Sequence, residues 1–377
     1  MNMHDYSKRL IEEFGCQSLH STDLSRLYSL SNHSDALDNK LLEHLHETNM
    51  LVSHRDLNIL LDAYEKGDKF YIYTGRGPSS GSLHIGHLIP FIVAKHLQDL
   101  FDIPVFIQLS TDEKYLRDKL SLEEVETMAY NNAVDIMSLG FNPSKTIILS
   151  NFNCIKQLYP VTMDILRHTT IKQMIGIFGM KDGDSAGNYY FPAIEAAPAF
   201  PTALEGIIEG YPRCLVILGI DQDPYFRLAR DVAKQIKCHK PALLHTTFVP
   251  ALTDIDSKMS SSNPLSAIFL SDTNKQITNK INRKAFSGGQ DTMELHKIMG
   301  ANVSVDVSCR YLQIFHRLSD DKIAIDRILN DYKNGIVLTG ELKKIVIKLL
   351  CEIIMKFRAN RLNNDDMKKI MTIRQIR

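Results

Sequence analysis

Short apolar runs alternate with longer segments of helical spacing through the middle of the chain. Runs rich in β-branched and aromatic residues predict strands at 70–73, 104–109, 146–149 and 215–220. Apolar residues recur at helical spacing at 88–100, after a capping-box sequence at 121–124, and at 224–236. This alternation predicts an α/β fold with a doubly wound, Rossmann-like parallel sheet and right-handed crossovers.

The two ends of the chain lack this alternation. Residues 1–66 have a helical and loop-like pattern, with Ser53 as a helix cap, and residues from about 271 to 361 have helical spacing without a convincing strand. We therefore predict an N-terminal helical extension at 1–66, a Rossmann-like domain at 67–270, an all-helical domain at 271–362 and a last helix at 363–377.

Residues 71–91 predict a strand, a glycine-containing loop and the start of a helix. Gly75 and Gly77 would let a ligand approach the backbone, and a helix beginning there would direct free N–H groups at a phosphate. The third glycine of a dinucleotide fingerprint is missing, so a nicotinamide-type site fits poorly. His84 and His87 could each donate a hydrogen bond to a phosphate oxygen, although the pair alone could instead be two polar caps of a buried helix.

Polar residues also follow the predicted strands. Ligands of parallel sheets bind outside the carboxyl ends of the strands. The polar residues at those places are Gln108, Asp112, Glu113, Asp221, Gln222 and Asp223. Each is a candidate site residue by topology, and each could instead be an ordinary cap or loop residue.

A second phosphate-type stretch, Lys258 to Ser262, lies in a polar loop after a strand-like run at 243–249. Together with the histidine pair it resembles the class I aminoacyl-tRNA synthetases, whose two signature motifs bind ATP from opposite sides of a cleft. The first motif matches at all four positions, from His84 to His87. In the second, Ser261 stands where the general pattern has lysine, so the contact of that lysine with pyrophosphate cannot be carried over.

Composition and charge narrow the class of protein. The chain has 377 residues, 44% apolar and 23% charged, which is ordinary for a soluble globular protein. Its first six residues contain no apolar leader, so a cytoplasmic protein without a membrane span is expected. Six dispersed cysteines argue against structural zinc and disulfides, and His44 and His46 are expected at the surface.

Net charge is unevenly distributed. Residues 1–70 carry 7 Lys+Arg against 12 Asp+Glu, whereas residues 341–377 carry 10 against 4. A basic end is compatible with a nucleic-acid partner, because phosphates attract lysine and arginine, but solvated helix faces produce similar runs.

The resemblance becomes closest with the eukaryotic-type tryptophanyl-tRNA synthetases. Six blocks carry it, at 74–80, 111–116, 191–194, 220–227, 258–262 and 285–289. The resemblance implies a ligase that uses ATP and Mg²⁺ to activate L-tryptophan and transfers it to tRNA(Trp). It also implies an anticodon-binding role for 271–362, packing of 363–377 on the catalytic domain, and a homodimer whose interface includes 154–178.

The same resemblance implies roles for individual residues. Charge-stabilising catalytic groups are His84, His87, Lys258, Ser260 and Ser262. ATP would contact Thr74, Gly75, Arg76, Gly77, His84, Gly86, His87, Gly219, Lys258, Met259 and Ser260. Tryptophan would contact Tyr73 and Gln222 at its indole N–H, Phe226 near its ring, and Gln108, Glu113 and Glu195 at its ammonium. Glu195 departs from the glutamine of the family, and no protein metal ligand is implied.

Three alternatives remain open from the sequence. A tyrosyl-tRNA synthetase would share the fold and both nucleotide motifs but would have to satisfy a phenol hydroxyl. A small nucleotidyltransferase can share the histidine motif, although it needs neither the lysine loop nor a helical domain of this size. A non-catalytic, synthetase-like RNA-binding protein is favoured weakly by Ser261 and disfavoured by His84, His87 and Lys258.

Overall fold

The computed structural model describes residues 9–31, 40–79, 81–181, 183–321 and 323–376. The predictions about a leader at the start of the chain, about Ser80, and about parts of the N-terminal extension therefore fall outside the described residues. Within these ranges the chain folds around one large sheet, followed by a helical region.

The large sheet has seven strands in the order β1-β2-β7-β6-β3-β4-β5. Its strands are β1 Gln17–Ser18, β2 Leu51–Arg55, β3 Phe70–Arg76, β4 Val105–Leu109, β5 Thr146–Ser150, β6 Arg213–Gly219 and β7 Ala242–Thr246. The five strands from β7 to β5 run parallel. The predicted Rossmann-like sheet is confirmed, and its order reverses beside β3, where ligands of such sheets bind.

One edge of the sheet departs from the prediction. β2 pairs antiparallel with β7, and β1 pairs antiparallel with β2. The expectation that residues 1–66 are only helical and loop-like is therefore wrong. Ser53 is not a helix cap but a buried residue of β2, opposite His245. A five-residue strand that begins inside a largely helical segment has too few residues to reveal a period of two.

Helices cover both faces of the sheet. They are α1 Ser21–Ser29, α2 Leu41–Glu47, α3 Leu57–Glu65, α4 Leu88–Phe101, α5 Thr111–Arg117, α6 Leu122–Met137, α7 Asn151–Arg167, α8 Ile171–Phe178, α9 Ala186–Ala196 and α10 Asp223–Val232. Along β3, Phe70 and Ile72 belong to one buried cluster, and Tyr71 and Tyr73 belong to another. This alternation is the period of a strand buried on both faces.

The helical region contains α11 Asn274–Lys284, α12 Met293–Met299, α13 Val307–Phe315, α14 Ile325–Lys333, α15 Thr339–Ala359 and α16 Asn364–Ile370. At its far end the backbone N–H of Ile376 donates to the carbonyl of Ile207 at 2.7 Å. Arg361 donates to Asp135 of α6 at 2.5 Å, so the end of the chain lies against the sheet region.

Two further features bear on the predictions. His44 is buried rather than exposed, with Nε2 3.1 Å from the carbonyl of Ile314, because α2 packs between the sheet region and α13. Among the described residues, no helix combines the length and apolar character needed to cross a bilayer.

Candidate active site

A cleft of about 410 Å³ opens at the carboxyl ends of β3, β4, β6 and β7. Most of the predicted site residues line it. They are Thr74, Gly75, Arg76, Gly77, His84, Gly86, His87, Glu113, Glu195, Gly219, Asp221, Gln222, Phe226, Lys258 and Met259. Six others do not lie on its wall: Tyr73, Gln108, Asp112, Asp223, Ser260 and Ser262.

The end of β3 forms one side of the cleft, and Gly75 and Arg76 are its last strand residues rather than part of a loop. A Cβ atom on Gly77 would lie 2.9 Å from Oε2 of Glu113, and a Cβ on Gly75 would lie 3.3 Å from Oε1 of Glu195. Both glycines therefore let acidic side chains come close to the strand end, and a residue with a Cβ atom at either position would crowd them.

His84 and His87 stack on each other in a short 3₁₀ turn at Ile85–His87 that leads into α4. Their ring centroids are 3.3 Å apart. Burial lowers the pKa of His84 to about 3, and the charges of Arg76 and Lys258 add to that effect. Burial and the same cations also hold the pKa of His87 well below its ordinary value. Both rings are therefore neutral at physiological pH and can donate one N–H each.

The ring of His84 is buried, and neither of its nitrogens has a hydrogen-bond partner among the described residues. A buried polar group without a partner costs about 1–3 kcal/mol. A Cβ on Gly86 would lie 3.1 Å from the His84 ring and 3.3 Å from Cβ of Met259. The turn is thus packed tightly against the Lys258 loop, and the His84 imidazole can bond to a ligand in the cleft.

Lys258 ends a hairpin strand that the sequence pattern did not predict. The hairpin consists of β8 Pro250–Ala251 and β9 Asp254–Lys258. Nζ of Lys258 lies 2.9 Å from Oδ2 of Asp221 and 3.8 Å from the centroid of the Phe248 ring. Both side chains of this ion pair are partly exposed, so a phosphate entering the cleft can compete with Asp221 for the ammonium.

A polar bridge joins the two nucleotide motifs. Arg76 donates to the hydroxyl of Ser79, and that hydroxyl lies 3.4 Å from the hydroxyl of Ser261. Nε of Arg76 also donates to Asn132 at 3.2 Å, and burial lowers the pKa of Arg76 to about 9. Ser261, where the general pattern has lysine, therefore contacts the opposite loop. Ser260 and Ser262 bond to each other at 2.8 Å instead of facing the cleft.

The other end of the cleft is acidic. Glu113 on α5 is paired with Arg117, one helical turn later, and Asp112 accepts from Nδ2 of Asn151 at 2.7 Å. Burial raises the pKa of the Asp112 and Glu113 carboxyls, because the charged carboxylate loses its hydration when it is buried. This end is therefore suited to a cationic group.

Glu195 on α9 faces Glu113 from the other side of the β3 end. Its side chain is 7% exposed, and Oε2 has no hydrogen-bond partner among the described residues. Burial raises its pKa well above the ordinary value, the charges of Glu113 and Asp112 raise it further, and Arg117 opposes them. The free site therefore stabilises the protonated carboxyl of Glu195, and a cation would stabilise the carboxylate.

Tyr73 and Gln108 form a buried layer beneath these carboxyls. The Tyr73 hydroxyl contacts Oε1 of Gln108 and lies 2.7 Å from the carbonyl of Glu195. Nε2 of Gln108 donates to Oδ1 of Asn151 at 2.7 Å and to the carbonyl of Ile194 at 3.1 Å. Every donor of the Gln108 amide is thus used within the protein.

Gln222 is the residue before the start of α10 and Phe226 lies four residues later in its first turn, and both line the cleft. The Phe226 ring is 5.7 Å from that of Tyr73 in an edge arrangement. Three aromatic residues of the wall were missed by sequence reasoning, Phe91, Tyr225 and Phe248. The positions of Tyr225 and Phe248 shortly after β6 and β7 are the signal that could have found those two.

Comparisons with known proteins support one family. The family described as tRNA synthetases class I (W and Y) matches residues 65–353. The chain is 49% identical, over 331 residues, to the cytoplasmic tryptophan–tRNA ligase of Oryctolagus cuniculus, covering 86% of this chain and 69% of that protein.

Two solved structures extend the comparison. The tryptophanyl-tRNA synthetase of Plasmodium falciparum is 40% identical with a TM-score of 0.85, covering 96% of this chain and 94% of that one. The Encephalitozoon cuniculi tryptophanyl-tRNA synthetase bound to tryptophan is 33% identical with a TM-score of 0.85, covering 98% of both chains.

Proposed function

The chain belongs to the class I tRNA synthetases of the tryptophan and tyrosine group, and we propose that its cleft activates L-tryptophan with ATP and transfers it to tRNA. One observation carries this proposal. A single cleft combines an end with the cations Arg76 and Lys258 and an end with the acidic residues Glu113 and Glu195, as an aminoacyl-adenylate requires. The relatives named tryptophan–tRNA ligase favour tryptophan over tyrosine as the amino acid.

The proposed reaction has two steps. The carboxylate of tryptophan attacks the α-phosphate of ATP, forming tryptophanyl-adenylate and releasing pyrophosphate. The terminal ribose hydroxyl of tRNA then attacks the acyl carbon, the bond from that carbon to the phosphate oxygen breaks, and AMP leaves while the hydroxyl proton passes to its phosphate. The carboxylate of the first step is already deprotonated and the phosphate takes the proton of the second, so the side chains act mainly by positioning and by stabilising charge.

At the phosphate end we assign His84 and His87 as neutral donors, and Arg76 and Lys258 as cations. The pKa values of the two histidines and of Arg76 support this division, because burial keeps both imidazoles neutral while Arg76 stays charged at pH 7. Lys258 would exchange Asp221 for the leaving pyrophosphate. Such a contact contributes to the rate when it strengthens in the transition state.

Mg²⁺ is proposed to enter with ATP as part of the substrate. The nearby carboxylate of Asp221 is already paired with Lys258 at 2.9 Å. The phosphates themselves would therefore supply most of the oxygen ligands of Mg²⁺. The ion would neutralise phosphate charge, and the residues of the chain would orient the complex.

At the amino-acid end we propose that Glu113 and Glu195 receive the ammonium and that Gln222 and Phe226 contact the indole. The indole N–H is a donor only, and the amide oxygen of Gln222 is an acceptor on the cleft wall. Tyr73 and Gln108 would support the pocket from beneath the cleft wall. The Tyr73 hydroxyl is bonded to Gln108 and to the carbonyl of Glu195.

A homodimer is also proposed, through the surface of α7 and α8. Its exposed apolar side chains are Phe152, Ile155, Tyr159, Met163, Ile171 and Ile175. Such a row of apolar side chains is unusual on a monomer and suits a self-complementary interface. Light scattering of the wild type and of Ile171→Asp tests this: the variant should lose the dimer mass.

The helical region at 274–359 is proposed to contact the anticodon. The basic end of the chain supports this, because phosphates attract lysine and arginine. The relatives are named cytoplasmic enzymes, in agreement with the location expected from the sequence.

The decisive experiment is ATP–pyrophosphate exchange with tryptophan, with tyrosine and with neither, followed by charging of tRNA(Trp). Exchange that depends on tryptophan, with tyrosine at background, is the expected result. Exchange with tyrosine would identify the rival specificity, and exchange with neither would contradict enzymatic activity.

A further inference from the structure

Asp223 lies next to two residues of the cleft wall but points away from the cleft. Asp221 and Gln222 line the cleft, whereas Asp223, the first residue of α10, is completely buried. Successive helical residues are about 100° apart. When Gln222 and Phe226 face the cleft, Asp223 must face β2 and β7. The position of Asp223 therefore constrains the position of Gln222.

Arg55 and His245 hold the Asp223 carboxylate. Nε of Arg55 on β2 donates to Oδ1 at 2.7 Å, and a terminal guanidinium nitrogen donates to Oδ2 at 2.9 Å. Nε2 of His245 on β7 lies 3.1 Å from Oδ1. A carboxylate only accepts, so Nε2 of His245 carries a proton, and the Ser53 hydroxyl lies 3.0 Å from Nδ1 on the other side of the ring.

The charge state of this cluster follows from its contacts. Burial alone would raise the pKa of Asp223, but the bonds from His245 and Arg55 reverse that effect and hold the pKa below its ordinary value. Asp223 is therefore ionised at neutral pH and fully buried. Arg55 supplies the closer compensating charge, and Nε of Arg227 lies 3.3 Å from Oδ2 as a second cation.

The same cluster reaches the N-terminal segment. Arg55 donates to the carbonyl of Phe14 at 2.8 Å, and the Arg227 guanidinium stacks 4.3 Å from the centroid of the Phe14 ring.

The Cys16 thiol, Asp223 and His245 offer ligand atoms within 4.8 Å of one another. A metal ion would need the carboxylate oxygens that the Arg55 fork already holds, so the cluster is an ion-pair network.

We propose that Arg55 and Asp223 are positioning residues for tryptophan, which fix the first turn of α10 so that Gln222 faces the indole. This inference rests on the function proposed above. A bidentate fork fixes direction as well as distance, which a single lysine ammonium does not. Arg55, which lies outside the catalytic domain predicted from the sequence, thereby helps to set the geometry of the amino-acid pocket in that domain.

The test begins with Arg55→Lys, which keeps the charge and removes the fork. In pyrophosphate exchange below the melting temperature of the variant, KM for tryptophan should rise about tenfold, with KM for ATP changed less than about threefold. Asp223→Asn, which keeps the shape and loses the charge, should shift KM in the same direction and provides a second route if Arg55→Lys fails to fold.

Arg230→Lys is the matched control. Arg230 also lies on α10 and donates to Asp56 at 2.7 Å, but it lies two turns after Gln222. Its replacement should lower the melting temperature while leaving KM for tryptophan within about twofold of the wild type. If the role of Arg55 were only structural, Arg55→Lys would also lower the melting temperature and leave KM for tryptophan nearly unchanged.

A double-mutant cycle shows whether Arg55 acts through Gln222. Gln222→Ala alone should raise KM for tryptophan, and adding Arg55→Lys should raise it by less than about twofold more. Unchanged KM in both Arg55→Lys and Asp223→Asn, or effects that multiply fully in the double variant, would overturn this inference alone. Absence of tryptophan-dependent exchange in the unmodified protein would overturn the proposed function together with it.

Discussion

Tryptophan affinity is expected to depend on pH through Glu195. Burial raises the pKa of this carboxyl well above its ordinary value, and the negative charges of Glu113 and Asp112 on α5 raise it further. Arg117 opposes them but is paired with Glu113, and Tyr225 faces the group from α10. An ammonium bound between Glu113 and Glu195 would favour both ionised forms, so tryptophan binding should release a proton.

The sign and size of the effect follow from this linkage. The pKa of Glu195 is higher in the free site than in the complex, so affinity is greatest above the free-state pKa and falls as pH decreases through it. A contact across ~4 Å at an effective dielectric of ~20 provides about 4 kcal/mol before desolvation. One released proton changes affinity by at most about tenfold per pH unit.

The perturbation is Glu195→Gln, which has nearly the same shape and no titratable proton. Between about pH 7.5 and 5.5, the affinity of the wild type for tryptophan should weaken at least about threefold more than that of the variant, even when most of the charge–charge energy is offset by desolvation. Calorimetry in two buffers of different ionisation enthalpy measures both the affinity and the protons released. Glu113 is common to both proteins, and His84, with its pKa lowered to about 3, stays neutral throughout.

Two results would refute this reasoning. Parallel pH profiles, within about twofold at every pH, would mean that Glu195 does not change its protonation on binding. Equal heats in the two buffers for the wild type would mean that no proton is released. Either result would leave Glu113 as the sole anion for the ammonium.

The remaining predictions concern other parts of the molecule. Lys258→Ala should lower the adenylation rate by about a hundredfold or more with little change in tryptophan binding, and near-normal exchange would remove it from the mechanism. The chain contains no tryptophan, so the emission of added tryptophan should change on binding, and an unaltered spectrum with no calorimetric heat would contradict the assignment. Asp306 is buried and accepts from Gly288, Ser308, Cys309 and Tyr332. Asp306→Ala should therefore lower the free energy of unfolding by about 3 kcal/mol, measured by denaturant titration; a loss below about 1 kcal/mol would contradict these contacts.

Features that depend on neighbours along the chain could be predicted from the sequence. The strand at β3, the turn with His84 and His87 and the start of α4 follow one another locally, and their periodicity identifies them. The capping box at Ser121 and Glu124 is present for the same reason. The parallel sheet followed from alternation, and the rule about strand ends then pointed to Glu113 and Gln222.

Features that depend on partners distant along the chain required the tertiary structure. No local pattern indicates that Oε2 of Glu195 has no hydrogen-bond partner within the described part of the chain, because its surroundings come from α5, β3 and α10. Nor does any pattern place Tyr73 and Gln108 beneath the cleft wall, where their polar atoms bond to each other. Hydrogen bonds of buried side chains depend on which elements pack together.

Only the tertiary structure decided how the N-terminal segment joins the site. Sequence alone determined that Asp223 follows a strand end, but its partner Arg55 lies 168 residues earlier. They meet because β2 pairs antiparallel with β7 and places Arg55 beside the start of α10. A one-residue slip in that pairing would turn Arg55 to the opposite face of the sheet. Strand register, set by packing across the whole sheet, is therefore the physical reason that this contact exists.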